Sequence, residues 1–251
     1  MKRLFYIIVA AFAMICPLQS CANGGGAKTE VSAPESAESA EIAESVEPAE
    51  SAKKPNYKIR IESLLKDAKQ QKSSTNFPLF FARQFLDVPY VAHTLEVNDE
   101  EQLVINTDEL DCTTLVETVT ALTLCAYRKT FTFLDYQNVL KAMRYCHGVI
   151  DRYPSRIHYF TDWIVENTQA GIVTEIQQPN PPFTQIQTVK VNYMSQHPQS
   201  YKALKAHPEY VAEIAQMEQR LTGQKLRFIP KSGVKDTQAM REAVHDGDII
   251  A

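Results

Sequence analysis

Residues 22–55 cannot fold by themselves, and this divides the chain. The segment is mostly Ala, Glu, Ser, Pro and Gly, with the near-repeats ESAESAE and AESVEPAESA. It buries too little apolar surface to offset its ordering entropy. A charged helix is the competing reading, and Pro34, Pro48, Pro55 and the interspersed serines count against it. The segment reads as a flexible tether, spanning roughly 30 Å as a coil and about 110 Å fully extended. From residue 56 the composition turns globular, with enough length for one sizeable core.

Ahead of the tether, Lys2 and Arg3 precede an apolar run, LFYIIVAAFAMI, over residues 4–15. The run is too short and wrongly flanked to span a membrane but suits the core of a signal peptide. It ends in Leu18-Gln19-Ser20-Cys21, which resembles the bacterial lipobox. That resemblance implies cleavage before Cys21 and acylation of its thiol, with several acyl chains giving stable anchoring. The expected organisation is a signal peptide over 1–20, a lipid-anchored tether over 21–55, and a folded domain over 56–251. The expected location is the bacterial cell envelope, anchored and facing the periplasm. The formal net charge of −4 is shared with the acidic tether, so the domain is near neutral and nothing points to nucleic acid.

Within the domain, residues 57–71 place Ile61, Leu64, Leu65 and Ala68 on one helical stripe. A short helix is expected over 78–86, stopped before Val88-Pro89. Residues 93–105 have the β-type stretches HTLEV and QLVI. Helices are expected over 111–128, 134–146 and 156–170, and strands over 172–176, 188–193 and 225–229. Residues 198–221 read as a helix interrupted near Pro208, 237–244 as a short helix, and 248–251 as the opening of a strand. The mixture points to an α+β fold.

The most informative stretch is LDCTTLVETVTAL, residues 110–122. Asp111 is a good N-cap, and Thr114 with Glu117 has capping-box spacing. Leu115, Val116, Val119 and Leu122 form the expected buried stripe. Cys112 then falls in the first turn, where free backbone N–H groups and the positive dipole end favour a thiolate and could serve an oxyanion. A buried structural role is the ordinary alternative for any cysteine. Cys125 lies about 220° further round the helix, on another face. Cys146, beside His147, could form a rival Cys-His pair. No CxxC or HExxH pattern is present, so neither a metal nor another cofactor is expected.

LDCTTLVE resembles the nucleophile motif of NlpC-type peptidoglycan hydrolases. With VPYVAHTLE, SRIHYFTDWI, VNYMSQHP, FIPK and DGDIIA, it resembles more closely a branch associated with muropeptide amidase activity. The resemblance implies a papain-like NlpC-type fold and a Cys-His mechanism. It also implies cleavage of the amide between N-acetylmuramic acid, in free or anhydro form, and L-alanine in peptidoglycan fragments. Cys112 matches the nucleophile. Tyr90 matches a tyrosine whose hydroxyl lies near the oxyanion, although His93 stands where that segment usually has Gly. Asp111, Thr113, Arg156, His158 and Tyr159 are the further oxyanion or substrate-binding candidates. Gly247-Asp248 matches a turn after which the family's catalytic histidine follows on a strand. That histidine is therefore expected beyond residue 251, with the late central strands missing and the fragment inactive. Cleavage within the stem peptide, and a wall-binding lipoprotein without catalysis, stay open as alternatives.

Cys21→Ser should release the protein from membranes and abolish labelling by a metabolic lipid analogue. Fractionation that leaves the serine variant in the membrane would refute the anchor.

Overall fold

The structure, a computed structural model, describes residues 57–251 and the backbone of one strand, Phe5–Ile8 (β1). Cys21 and residues 22–55 lie outside the described residues. Among those described, no helix is long and apolar enough to cross a membrane.

Four helices form most of the main core, to which Trp163 and Ile164 of a fifth helix also contribute. Helix α1, Tyr57–Lys69, buries the expected Ile61, Leu64, Leu65 and Ala68. Helix α2, Phe77–Ala82, starts from Asn76, whose side chain accepts from the Leu79 N–H, with Pro78 in its first turn. A tight turn, Arg83–Phe85, finishes it. Helix α3, Cys112–Arg128, packs against α1, α2 and α4, Phe133–Arg144. Because α3 is covered on several sides, the expected stripe is only part of its contact surface. Leu122 is fully buried and Leu115, Val116 and Val119 are half-buried, while Thr114, Glu117, Thr118, Ala121 and Cys125 are also buried.

Glu117 is the unexpected member of that set. It meets Arg144 of α4 at 2.7 Å, and both side chains are 3% exposed. The second arm of Arg144 donates to the Val104 carbonyl at 2.5 Å. Residues 93–105, expected to contain strands, have none. Their polar groups find side-chain partners in place of a neighbouring strand. The Tyr145 hydroxyl lies 2.8 Å from Glu101 Oε1 and 2.9 Å from the Gln102 carbonyl. Arg156 pairs with Glu96 at 2.6 Å and with Glu101 at 3.3 Å. Further on, Arg60 of α1 donates to the Thr107 and Gln84 carbonyls. Asn106 closes the turn into α3 by accepting from the N–H groups of Asp108 and Glu109.

Helix α5 is Phe160–Gln169, so the expected helix over 156–170 starts late. Residues 156–159 are held outside it: the Ile157 N–H donates to the Arg144 carbonyl, and Arg156 bridges to Tyr145. Strand β2, Val173–Ile176, follows. Strand β3, Gln185–Thr188, pairs antiparallel with β4, Lys225–Phe228, in the register Gln185↔Phe228. The strand expected over 188–193 therefore lies earlier. Its ladder ends where Val189 bonds to Gln224 and Gly223, the latter at φ +95°. The chain then enters α6, Tyr193–Gln196. Short helix α7, Lys202–Ala206, and α8, Tyr210–Leu221, follow, broken apart at Pro208 as expected. Helix α9, Thr237–Ala243, precedes β5, Ile249–Ile250.

Strands β2, β1 and β5 form a parallel sheet in that order, with Phe5 opposite Val173 and Ile7 opposite Ile249. Phe5–Ile8 falls inside the apolar run read as a leader core, so cleavage before Cys21 would remove the strand between the other two. The turn before β5 is fixed from outside the sheet. Gly247 has φ +101°, and a Cβ there would stand 2.9 Å from Pro78. Asn76 also donates to the Asp246 carbonyl.

Removing one partner of a buried ion pair strands the other charge. Glu117→Ala should therefore cost about 3–5 kcal/mol in denaturant unfolding, whereas a Glu117→Leu, Arg144→Met double replacement should recover most of the loss. An alanine variant within about 1 kcal/mol of wild type would contradict the role given to this pair.

Candidate active site

The start of α3 is set by a reciprocal cap. Asp111 accepts from the Thr114 N–H at 2.8 Å, and Thr114 Oγ1 accepts from the Asp111 N–H at 2.9 Å. The box therefore joins Asp111 to Thr114, not Thr114 to Glu117, which is occupied by Arg144. The cap fixes Cys112 as the first helical residue, and its thiol is free and exposed. The other two described cysteines are also unpaired but differently placed. Burial pushes the Cys125 thiol up to about 11. Burial, with Asp162 and Glu166 close by, also raises Cys146. Carboxylates oppose a thiolate there, and His147 lies toward Glu166, 4.0 Å away, so the rival Cys146–His147 pair has no support.

Asp111 and Thr113, which flank Cys112, line a cavity of about 470 Å3. Arg156, His158 and Tyr159 line the same cavity, so five of the predicted candidates meet in one place. Tyr90 is brought near by backbone pairing: the Val91 N–H donates to the Leu110 carbonyl, and the Leu110 N–H to the Pro89 carbonyl. Its side chain does not line the cavity and is 71% exposed. His93 does line it, and has φ +63°. The residue standing where related segments have Gly thus keeps the left-handed backbone that Gly adopts freely.

Two of these candidates are already engaged. Glu96 and Glu101 neutralise the Arg156 guanidinium, and Tyr153 stacks beneath it. His158 is not on a helix. It precedes α5, its ring lies 4.3 Å from that of Tyr153, and its Nε2 is 2.9 Å from the Tyr153 carbonyl. A carbonyl only accepts, so Nε2 carries the proton. Burial, with help from the Arg156 charge, pushes this imidazole down to about 3. His158 is therefore neutral at physiological pH and too weak a base to take a thiol proton.

Sequence reading missed Glu117, Arg144, Tyr153, Met194, Tyr201 and Lys202 as cavity residues. Of these, Glu117, in LDCTTLVE, and Met194, in VNYMSQHP, fell inside motifs singled out in advance. Among the described residues, no group of three or more His, Cys, Asp or Glu could hold a metal ion.

A family described as AmiA-like, N-acetylmuramoyl-L-alanine amidase-like, matches residues 80–251, and the chain belongs to it. Two solved N-acetylmuramoyl-L-alanine amidases from Bacteroides uniformis are similar. One is 39% identical with a TM-score of 0.56, covering 62% of this chain and 65% of that one. The other is 42% identical with a TM-score of 0.56, covering 62% and 64%. A Bacteroides fragilis protein, provisionally described as a xylanase, is 42% identical with a TM-score of 0.57 over 61% of this chain and 66% of its own. The chain thus spans just under two thirds of each. A Legionella pneumophila structure at 14% identity and a TM-score of 0.51 shares the fold alone. No curated protein matches the chain.

His158 ties stability to pH. Between about 6.5 and about 3 the unfolded chain binds a proton that the folded chain does not, so stability falls as pH drops through that window. Asp162, raised to about 6 by burial from 3.8, acts in the opposite sense between those values. The difference between wild type and His158→Gln isolates the histidine. The variant should lose a slope of up to about 1.4 kcal/mol per pH unit below pH 6.5. An NMR titration showing a His158 midpoint near 6.5 would contradict the assignment.

Proposed function

We propose that the protein is a cell-envelope cysteine amidase of the NlpC-type, papain-like kind, acting on peptidoglycan fragments. Its bond is the one between the lactyl carbonyl of N-acetylmuramic acid and the amine of L-alanine. The observation that carries this reading is the exposed Cys112 thiol at the head of α3, flanked by two residues that line the cavity. The family and the amidase relatives supply the substrate class. Anchoring through Cys21 belongs to the same proposal and would hold the domain near its substrate.

The Cys112 thiolate attacks the lactyl carbonyl carbon. The oxyanion takes hydrogen bonds from free N–H groups in the first turn of α3, with Tyr90 close by. The C–N bond breaks as the base returns the proton taken from the thiol to the alanine nitrogen, which leaves as the free amine, and water hydrolyses the thioester to the lactyl acid. No hydrogen bond joins Cys112 to any of the six histidines among the described residues. A histidine serves as the base, as the resemblance to NlpC-type hydrolases implies.

A glycosidase reading, raised by the Bacteroides fragilis relative, finds no acid–base pair here. The carboxylates lining the cavity are Glu96, Asp111 and Glu117: Glu96 and Glu117 are each paired with an arginine, and Asp111 is engaged by the Thr114 N–H as the cap of α3. A free carboxylic acid is what protonating a glycosidic oxygen requires.

Incubation of the protein, in the longest form its gene encodes, with defined muropeptides distinguishes the readings by mass spectrometry. An amidase yields the free lactyl acid and an intact peptide, whereas a stem-peptide endopeptidase leaves L-alanine on the sugar. Cys112→Ala should lower turnover by at least about a thousandfold. Cys112 should also alkylate faster than Cys125 and Cys146 in peptide mapping. Faster reaction at either buried thiol, or turnover surviving Cys112→Ala, overturns the mechanism.

A further inference from the structure

Glu218, on the inward face of α8, is 2% exposed and lies in no motif singled out from the sequence. One of its carboxylate oxygens gathers three donors from two distant parts of the chain. The Tyr159 hydroxyl donates to it at 2.6 Å, the Met194 N–H at 2.9 Å and the Ser195 N–H at 3.2 Å. The Met194 N–H also reaches the Tyr159 oxygen at 3.1 Å. Tyr159 immediately precedes α5, and Met194 belongs to α6. Both line the 470 Å3 cavity, so one buried carboxylate ties together two separate pieces of its wall.

The same helix is fixed from a second direction. Two residues on, Arg220 forms a fork with Asp162 at 2.9 and 3.0 Å and reaches Glu166 at 2.7 Å. Asp162 and Glu166 lie on α5. Helix α8 is thus bound to α5 through Arg220 and to the cavity wall through Glu218, and a carboxylate at 218 has little freedom to leave its donors. Burial and the hydrogen bond to Glu218 raise the Tyr159 hydroxyl, so it keeps its proton and stays a donor. Buried donors deprived of their acceptor lose more than a typical hydrogen bond contributes.

We propose that Glu218 is a positioning residue for muropeptide binding, holding Tyr159 and the Met194–Ser195 turn as one wall of the cavity. The inference rests on the amidase reading for the identity of the ligand. Glu218 does not contact the reacting atoms; it acts through the groups it orders.

The test uses the full chain in a Cys112→Ala background, so that the ligand survives. N-acetylmuramoyl-L-alanyl-D-isoglutamine is the probe, with affinity read by calorimetry and backbone order by hydrogen exchange over residues 193–196. Glu218→Ala should weaken binding at least about tenfold and speed exchange over those residues. Glu218→Gln, which keeps the acceptor, should stay within about threefold of the background. If Glu218→Ala does not fold, Glu218→Asp takes its place: the shorter carboxylate keeps the charge but falls short of the donors, and it should show the same loss. Unchanged exchange in the alanine or aspartate variant overturns the positioning role whatever the ligand is. Faster exchange with unchanged affinity shows that the wall is not part of the ligand site, and also overturns it. A background protein that does not bind the probe removes the muropeptide reading itself and, with it, the role assigned to Glu218.

Discussion

The buried pair between Glu117 and Arg144 is the constraint on which the rest of the site depends. Two charges removed from water are costly unless each meets its partner and its remaining donors are used. Arg144 satisfies that condition by binding the Glu117 carboxylate with one nitrogen and the Val104 carbonyl with another. An ion pair has a direction, which an apolar contact lacks. Together with the packing of α3 on α1 and α2, it fixes α3 against α4 and so the direction in which the first turn of α3 faces. Since Cys112 occupies that turn, the placement of the thiol relative to the cavity follows from a contact more than a helical turn away.

The cavity is rich in charge but poor in free charge. Arg144 answers Glu117, Arg156 answers Glu96 and Glu101, and Lys202 meets Asp99 at 2.9 Å. What the wall offers a ligand is hydroxyl groups, aromatic faces and a neutral imidazole: Tyr153, Tyr159, Tyr201 and His158. Such a surface suits an uncharged sugar and an amide better than it suits a strongly ionic group. It also leaves the thiolate of Cys112 as the reactive charge of the proposed chemistry.

Helix α1 and the start of α3 were legible because their signals are local: a stripe at helical spacing, and an Asp before a Cys-Thr-Thr run. The cavity was legible only in part. Asp111, Thr113, His158 and Tyr159 were named from motifs, yet Glu117 reads in sequence as a capping residue and Arg144 as a solvated charge on an amphipathic helix. Their partners are 27 residues apart, and no periodicity reports that. The failures share one cause. Residues 93–105 alternate like strands, and 156–159 look like the start of a helix. In both places, side chains remote in sequence satisfy the backbone and displace the local preference. Glu218 was invisible for the same reason, since its donors come from residues 159, 194 and 195.

The manner in which residues 93–107 are held has an evolutionary consequence. Of the acceptors that fix this segment, those at Gln102, Val104 and Thr107 are backbone carbonyls, present whatever side chain stands there. Glu96 and Glu101 bring their own carboxylates. Among positions 98–100 Asp99 makes only an exposed pair with Lys202, which contributes little to stability, and all three line a second cavity of about 390 Å3 that shares Leu95, Glu96, Tyr153, Arg156 and Lys202 with the first. Substitutions there change what the rim presents without changing the path of the chain. A lineage can therefore explore new rim chemistry at this edge with little effect on folding, while the frame around Cys112 is inherited intact.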